Sequence, residues 1–144
     1  GCLSAGIVTA GSYIVAYKNH IYNMSWGCGE RHGINPALGS EYIWVLENHI
    51  HENNGDSFQA LDGAVEDPPK YIFVGRNTMH DDKENGIDLK HSNYVVASQN
   101  IIYGYEDAET SDGSAIVVGS NGGPSLVWFL FNEVSDRKKC SIKL

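Results

Sequence analysis

Apolar and polar positions alternate along this chain in short runs, and one run returns five times. Tyr13-Ile-Val-Ala-Tyr-Lys-Asn19 is the first copy and Tyr42-Ile-Trp-Val-Leu-Glu-Asn48 the second. Tyr71-Ile-Phe-Val-Gly-Arg-Asn77 and Tyr94-Val-Val-Ala-Ser-Gln-Asn100 follow, and Leu126-Val-Trp-Phe-Leu-Phe-Asn132 is the loosest. The closing asparagines are 29, 29, 23 and 32 residues apart, and an apolar residue stands two places past each: Ile21, Ile50, Met79, Ile102 and Val134. An apolar residue at every second position is the period of a strand, not of a helix. The inward columns are then Ile14, Ile43, Ile72, Val95, Val127 and Ala16, Val45, Val74, Ala97, Phe129. The asparagine column falls where the chain must bend. Asparagine tolerates turn conformations, and its side-chain amide can bond the same amide in the repeats before and after.

A second strand follows each loop. His32-Gly-Ile-Asn-Pro aligns with Asp56-Ser-Phe-Gln-Ala, Asn85-Gly-Ile-Asp-Leu and Ser114-Ala-Ile-Val-Val. Ile34, Phe58, Ile87 and Ile116 point inward in this alignment, and Asn35, Gln59, Asp88 and Val117 outward. The loops between are rich in Gly, Asp, Asn and Ser, and no segment keeps a helical period over three turns. Like-for-like repeats of short strands predict an all-β solenoid, a parallel β-helix of about five coils spaced about 4.8 Å apart. The whole chain, 1–144, reads as one such domain.

The repeat Y-I/V-x-V-x-x-N-x-I followed by x-G-I-D resembles bacterial secreted members of the right-handed parallel β-helix proteins, the pectate-lyase-like superfamily. The resemblance runs from about Gly6 to Asp136 and rests on a structural motif. It implies the fold, and it implies an extracellular or cell-surface protein that acts on or binds acidic polysaccharide. Such a family also implies more coils and end caps, so the chain is expected to be an excerpt of a longer helix, or else to have its ends covered by other copies. Members that are lyases remove the proton beside a uronic carboxylate while calcium or a basic residue neutralises that carboxylate. The lyase motifs themselves are not recognisable here. The alternative is a filament, spacer or adhesive spike that stacks end to end through open helix ends.

Composition narrows the partners. With 42% hydrophobic residues the chain can bury a core, and a formal charge of −8 speaks against nucleic acid or an anionic membrane as partner. No apolar run is long enough to span a membrane. Three cysteines, Cys2, Cys28 and Cys140, make no disulfide framework, and their pairing is not legible. No signal peptide opens the chain, and Asn23-Met24-Ser25 is a glycosylation sequon.

The best place for chemistry is Asp81 to His91. Alternation sets Asp88 and Lys90 on the outer face, with Asp81, Asp82 and Glu84 in the preceding loop. If the protein is a lyase, Lys90 is the expected base and Asp88 its neighbour or a calcium ligand. Asp81, Asp82 and Glu84 form the metal side, since oxygen-rich loops suit calcium. Stacking sets Gln59 beside Asp88, and Asp56, Asp62 and Asp112 extend the polar stripe. Arg76 and His91 are further candidates for sugar contact. Trp44, Phe73 and Trp128 share an outward column with Val15 and Val96, suited to stacking on sugar rings or to a small second core under a loop. The plain alternative for Asp88 and Lys90 is a solvated ion pair, and for His20 and His49 a surface stack; a metal site there needs them to converge with further ligands.

Overall fold

The computed structural model describes residues 5–24, 29–60, 66–105, 111, 113–119, 123–135 and 142–144. Cys2, Cys28, Cys140, Asp62 and Asp112 lie outside the described residues. The strands run in a repeating order of three per coil. They are β1 (Ala5–Thr9), β2 (Ser12–Tyr17), β3 (His20–Tyr22), β4 (His32–Pro36), β5 (Glu41–Leu46), β6 (His49–His51), β7 (Phe58–Ala60) and β8 (Lys70–Gly75). Then come β9 (Thr78–His80), β10 (Ile87–Leu89), β11 (Asn93–Ser98), β12 (Ile101–Tyr103), β13 (Ile116–Val118), β14 (Ser125–Leu130), β15 (Glu133–Ser135) and β16 (Ile142–Lys143). Every pairing among them is parallel, between strands three apart in the chain. Sheet A holds β1-β4-β7-β10-β13-β16, sheet B β2-β5-β8-β11-β14 and sheet C β3-β6-β9-β12-β15. The architecture is the parallel β-helix that the repeat predicts, with no helix among the described residues.

Like residues stack because the register is strict. Ile43 pairs with Ile72, Val45 with Val74, Val95 with Ile72 and Ala97 with Val74. On sheet A, Ile34 pairs with Phe58, Phe58 with Ile87, and Ile87 with Ile116. These side chains form one core, closed from sheet C by Ile21, Ile50, Met79 and Ile102. Ile34, Ile43, Ile50, Phe58, Met79, Ile87 and Ile102 are wholly buried. Each contributes about 1.5–3 kcal/mol by leaving water. The rung of β14 and β15 is looser, with Val127, Phe129 and Val134 only partly buried.

The corner between sheets B and C is built twice over. The residue before each asparagine, Lys18, Glu47, Arg76, Gln99 or Phe131, is left-handed, with φ between 54° and 57°. The asparagine itself does not take that conformation. A non-glycine residue there costs about 1–2 kcal/mol, so something must hold it. The asparagine side chains do so. The Nδ2 of Asn48 donates to Asn77 Oδ1 at 3.0 Å and to the carbonyl of Ala16 at 2.9 Å. Asn77 and Asn100 repeat both bonds one coil on, Asn77 to Asn100 and Val45, Asn100 to Asn132 and Val74. Each Oδ1 also accepts the backbone N–H of the preceding asparagine. A second left-handed position opens sheet B at Tyr13, Tyr42, Tyr71 and Tyr94. Their rings stack at 4.8 Å, the spacing of the coils.

Candidate functional site

The outer face of sheet A is where the repeat turns polar. In register, Asp88 lies between Gln59 and Val117. Alternation suggested a solvated column, but Asn35, Gln59 and Asp88 are only 7%, 4% and 6% exposed. Asp88 Oδ2 stands 3.5 Å from Lys90 Nζ. Its other oxygen is buried without a hydrogen bond among the described residues. Burial pushes the Asp88 carboxyl up to about 7; the charge of Asp56 adds to this and Lys90 pulls against it. An acid with that value exchanges its proton near neutral pH.

Asp88, Lys90 and His91 line one cleft of about 740 Å³, together with Val117, Gly119, Pro124 and Lys143. The Nδ1 of His91 is buried and has no hydrogen-bond partner among the described residues. Lys143 enters because β16 pairs with β13, which sets it opposite Val117. The sequence carried no sign of it, since no repeat phrase precedes Ile142.

Next to Asp88, at the corner between sheets C and A, lies a buried polar knot. Asp56 Oδ1 accepts the backbone N–H and the side-chain amide of Asn85, both at 2.9 Å. Its Oδ2 accepts from Gln59 Nε2 at 3.0 Å and lies 3.2 Å from His32 Nδ1. The same His32 nitrogen accepts the Asp56 N–H at 3.0 Å. His32, Asp56 and Glu84 bring one ligand atom each to within 4.8 Å of one another, all three buried. One imidazole with two carboxylates suits a transition metal better than calcium, which takes oxygen ligands. The alignment of the second strands already put His32, Asp56, Asn85 and Ser114 in one column. That was the available signal for this knot.

The loop expected to hold calcium is arranged otherwise. Asp82 is buried, accepting from Asn53 N at 2.6 Å and Asn53 Nδ2 at 2.9 Å with one oxygen and from the Ser57 hydroxyl with the other. Desolvation raises its pKa to about 7, against the pull of these donors. Asp81 is exposed and accepts from His80 Nδ1 at 2.7 Å, while Glu84 turns to His32 and Asp56. Three carboxylates that face three ways do not fit a calcium cradle.

The remaining candidates lie on other faces. Trp44 and Phe73 are adjacent in register on sheet B, in one column with Val15, Val96 and Trp128. Trp44 and Phe73 are half-buried and Trp128 is exposed. The Phe73 ring lies over Gly75, where an added Cβ would meet it at 2.4 Å. Arg76 sits at the corner of sheets B and C and pairs with Glu47 at 3.0 Å. Asn23 is exposed, and Ser25 of its sequon lies outside the described residues.

The fold and the covered face define a class: a parallel β-helix with an acid–lysine pair on one outer face. No family model matches the sequence, and no curated protein matches it. Among solved structures the chain is similar to the crystal structure of the periplasmic alginate epimerase AlgG, with a TM-score of 0.59 and 16% identity. The similarity covers 90% of this chain and 36% of that one, so the chain spans about a third of that protein's length. At such identity the likeness is one of fold.

Proposed function

We propose that this chain is part of a carbohydrate-active β-helix protein that handles an acidic, uronate-containing polysaccharide on the outer face of sheet A. The observation that carries the reading is the Asp88–Lys90 pair in an open cleft, with a carboxyl that titrates near pH 7 beside an ammonium. The fold shared with an alginate epimerase supports the substrate class. The reading carries with it a location outside the cell membrane, extracellular or at the surface.

The chemistry that fits is removal of the proton next to the uronic carboxylate. The sequence pattern put the base on Lys90. The geometry favours dividing the work: Asp88 takes the proton, and the Lys90 ammonium, with Lys143 on the same cleft, faces the sugar carboxylate and steadies the charge that develops there. From that carbanion, a C4=C5 double bond forms as the C4–O bond breaks and the departing oxygen takes a proton from water, which is a lyase; delivery of a proton from water to the opposite face of C5 is an epimerase. His91, on the same cleft, is the candidate for bonding a sugar hydroxyl, while Gln59 is buried beside Asp88 and holds Asp56.

The test is to incubate the intact parent protein with polyuronates, with calcium and with chelator. Ultraviolet absorbance follows the unsaturated product, and proton NMR in D2O follows exchange at C5. Solvent exchange or elimination that is lost in Asp88→Asn and Lys90→Ala supports the reading. Folded protein with neither signal on any polyuronate sinks it. A second reading is end-to-end self-association, for which the exposed Trp128, Leu130 and Phe131 offer apolar surface. Light scattering as a function of concentration tests that reading separately.

A further inference from the structure

Sheet C carries a cluster that the carbohydrate reading does not use. Its strands are three residues long, with the middle residue inward, so positions one and three both face out. In register, His20 stacks on His49, and Tyr22, His51, His80 and Tyr103 form the neighbouring column. The His20 and His49 rings are 4.8 Å apart and 1° from parallel, and the His51 and His80 rings 4.9 Å and 1°. Tyr22 stacks on His51 from one side and Tyr103 on His80 from the other. Four imidazoles are thus held in two short columns, the second of them between two phenol rings.

The columns lean toward each other through their Nε2 atoms. His20 Nε2 lies 2.7 Å from His51 Nε2, and His49 Nε2 lies 2.8 Å from His80 Nε2. Two ring nitrogens that close need a proton or another cation between them. The far side of each ring in the second column is fixed. His51 Nδ1 donates to Glu52 at 2.9 Å and His80 Nδ1 to Asp81 at 2.7 Å. Glu52 and Asp81 take the left-handed conformation at φ 55° and 54°, the bend that ends sheet C. A carboxylate on Nδ1 leaves the lone pair on Nε2, the arrangement that orients histidines toward metals. His20, His49 and His51 bring ligand atoms to within 4.8 Å of one another.

We propose that this face binds a divalent transition-metal ion of the zinc class, ligated by His20, His49 and His51 through nitrogen, with His80 beside His49 as a further ligand. All-imidazole donors suit zinc, copper and nickel and do not suit calcium or magnesium. Ligand nitrogens around tetrahedral zinc lie roughly 3.3 Å apart, so the close pairs would open by about half an ångström while His49 draws in toward His20 and His51 from within 4.8 Å. Desolvation, and then the neighbouring His51, His80 and His20, lower the pKa of His49, which favours the neutral ring that ligates. The site lies on a different sheet from Asp88 and Lys90 and stands whether or not the polysaccharide reading holds.

The experiment is calorimetric titration of the 144-residue chain with Zn2+, paired with Co2+ absorption spectra. Circular dichroism confirms that each variant is folded. The expected result is saturable Zn2+ uptake and a Co2+ ligand-field spectrum, both weakened at least about tenfold in His49→Ala and His51→Ala. The milder Glu52→Gln, which keeps the side-chain shape, is expected to weaken binding severalfold and serves if either alanine variant fails to fold. His32→Gln, in the buried knot, is expected to change nothing. Absence of Zn2+ uptake, uptake at full affinity in the folded sheet C variants, or loss only in His32→Gln overturns the proposal.

Discussion

Two corners of this β-helix are built from similar residues and behave differently. At the corner of sheets B and C, the same residue recurs at Asn19, Asn48, Asn77, Asn100 and Asn132. In the interior coils each amide has its donors and acceptor matched by the next. At the corner of sheets C and A the positions change from coil to coil. Asn53 is followed by Asp82, and His32 by Asp56 and then Asn85. The first corner is neutral and uniform; the second holds buried carboxyls, of which Asp82 titrates at about 7, as does Asp88 on the adjoining strand. Uniformity serves stacking. Departure from it puts charge where water is scarce, which costs stability and creates acids that work near neutral pH.

The largest way to break the comparison is Asn77→Ala. It removes two donors and an acceptor that serve Asn48, Asn100 and Val45, all in the interior. A loss of about 3–5 kcal/mol is expected from the polar groups left bare. Asn19→Ala, half-buried and with one side-chain hydrogen bond among the described residues, is expected to cost well under half as much. Urea melts of both variants check this. Equal losses would mean that the ladder is not cooperative along its length.

The second corner is expected to show itself in pH. Asp82 and Asp88 have folded pKa values near 7, raised from 3.8. Between those values the folded state holds protons that the unfolded state has released. These groups therefore stabilise fully below about pH 4, and their contribution is lost as pH rises toward 7. The loss is a few kcal/mol in total. Thermal melts at pH 5 and pH 8 are expected to show the lower Tm at pH 8. Asp82→Asn, which copies the asparagine of the other corner, is expected to raise Tm at pH 8 and leave it nearly unchanged at pH 5. A Tm that rises from pH 5 to 8 would contradict the assignment. The smallest effect is expected from Arg76→Ala at the uniform corner, where an exposed pair with Glu47 contributes under about 1 kcal/mol.

The repeat made the fold legible. Five phrases in one register fixed which residues face inward, because a one-residue slip would expose every one of them. The candidate site was legible only in part. Asp88, Lys90 and His91 were within reach because they share one strand and its end. Their burial was not, since it depends on what covers the strand rather than on alternation. Nor did local spacing show that Asp82 turns inward to Asn53 while Asp81 turns to His80; adjacent loop acids take direction from the coil stacked beside them. His51 and His80 sit in adjacent coils, 29 residues apart. Only the register, together with the left-handed bend after each, brings their rings and carboxylates into line.

The most direct test of the account is a titration of the isotope-labelled chain with short uronate oligosaccharides, read by amide chemical shifts. The account predicts saturable shifts centred on Gln59, Asp88, Lys90, His91, Val117 and Gly119, weakened about tenfold or more in Lys90→Ala. Shifts confined to the Trp44 and Phe73 face of sheet B, or none with the protein folded, would contradict it.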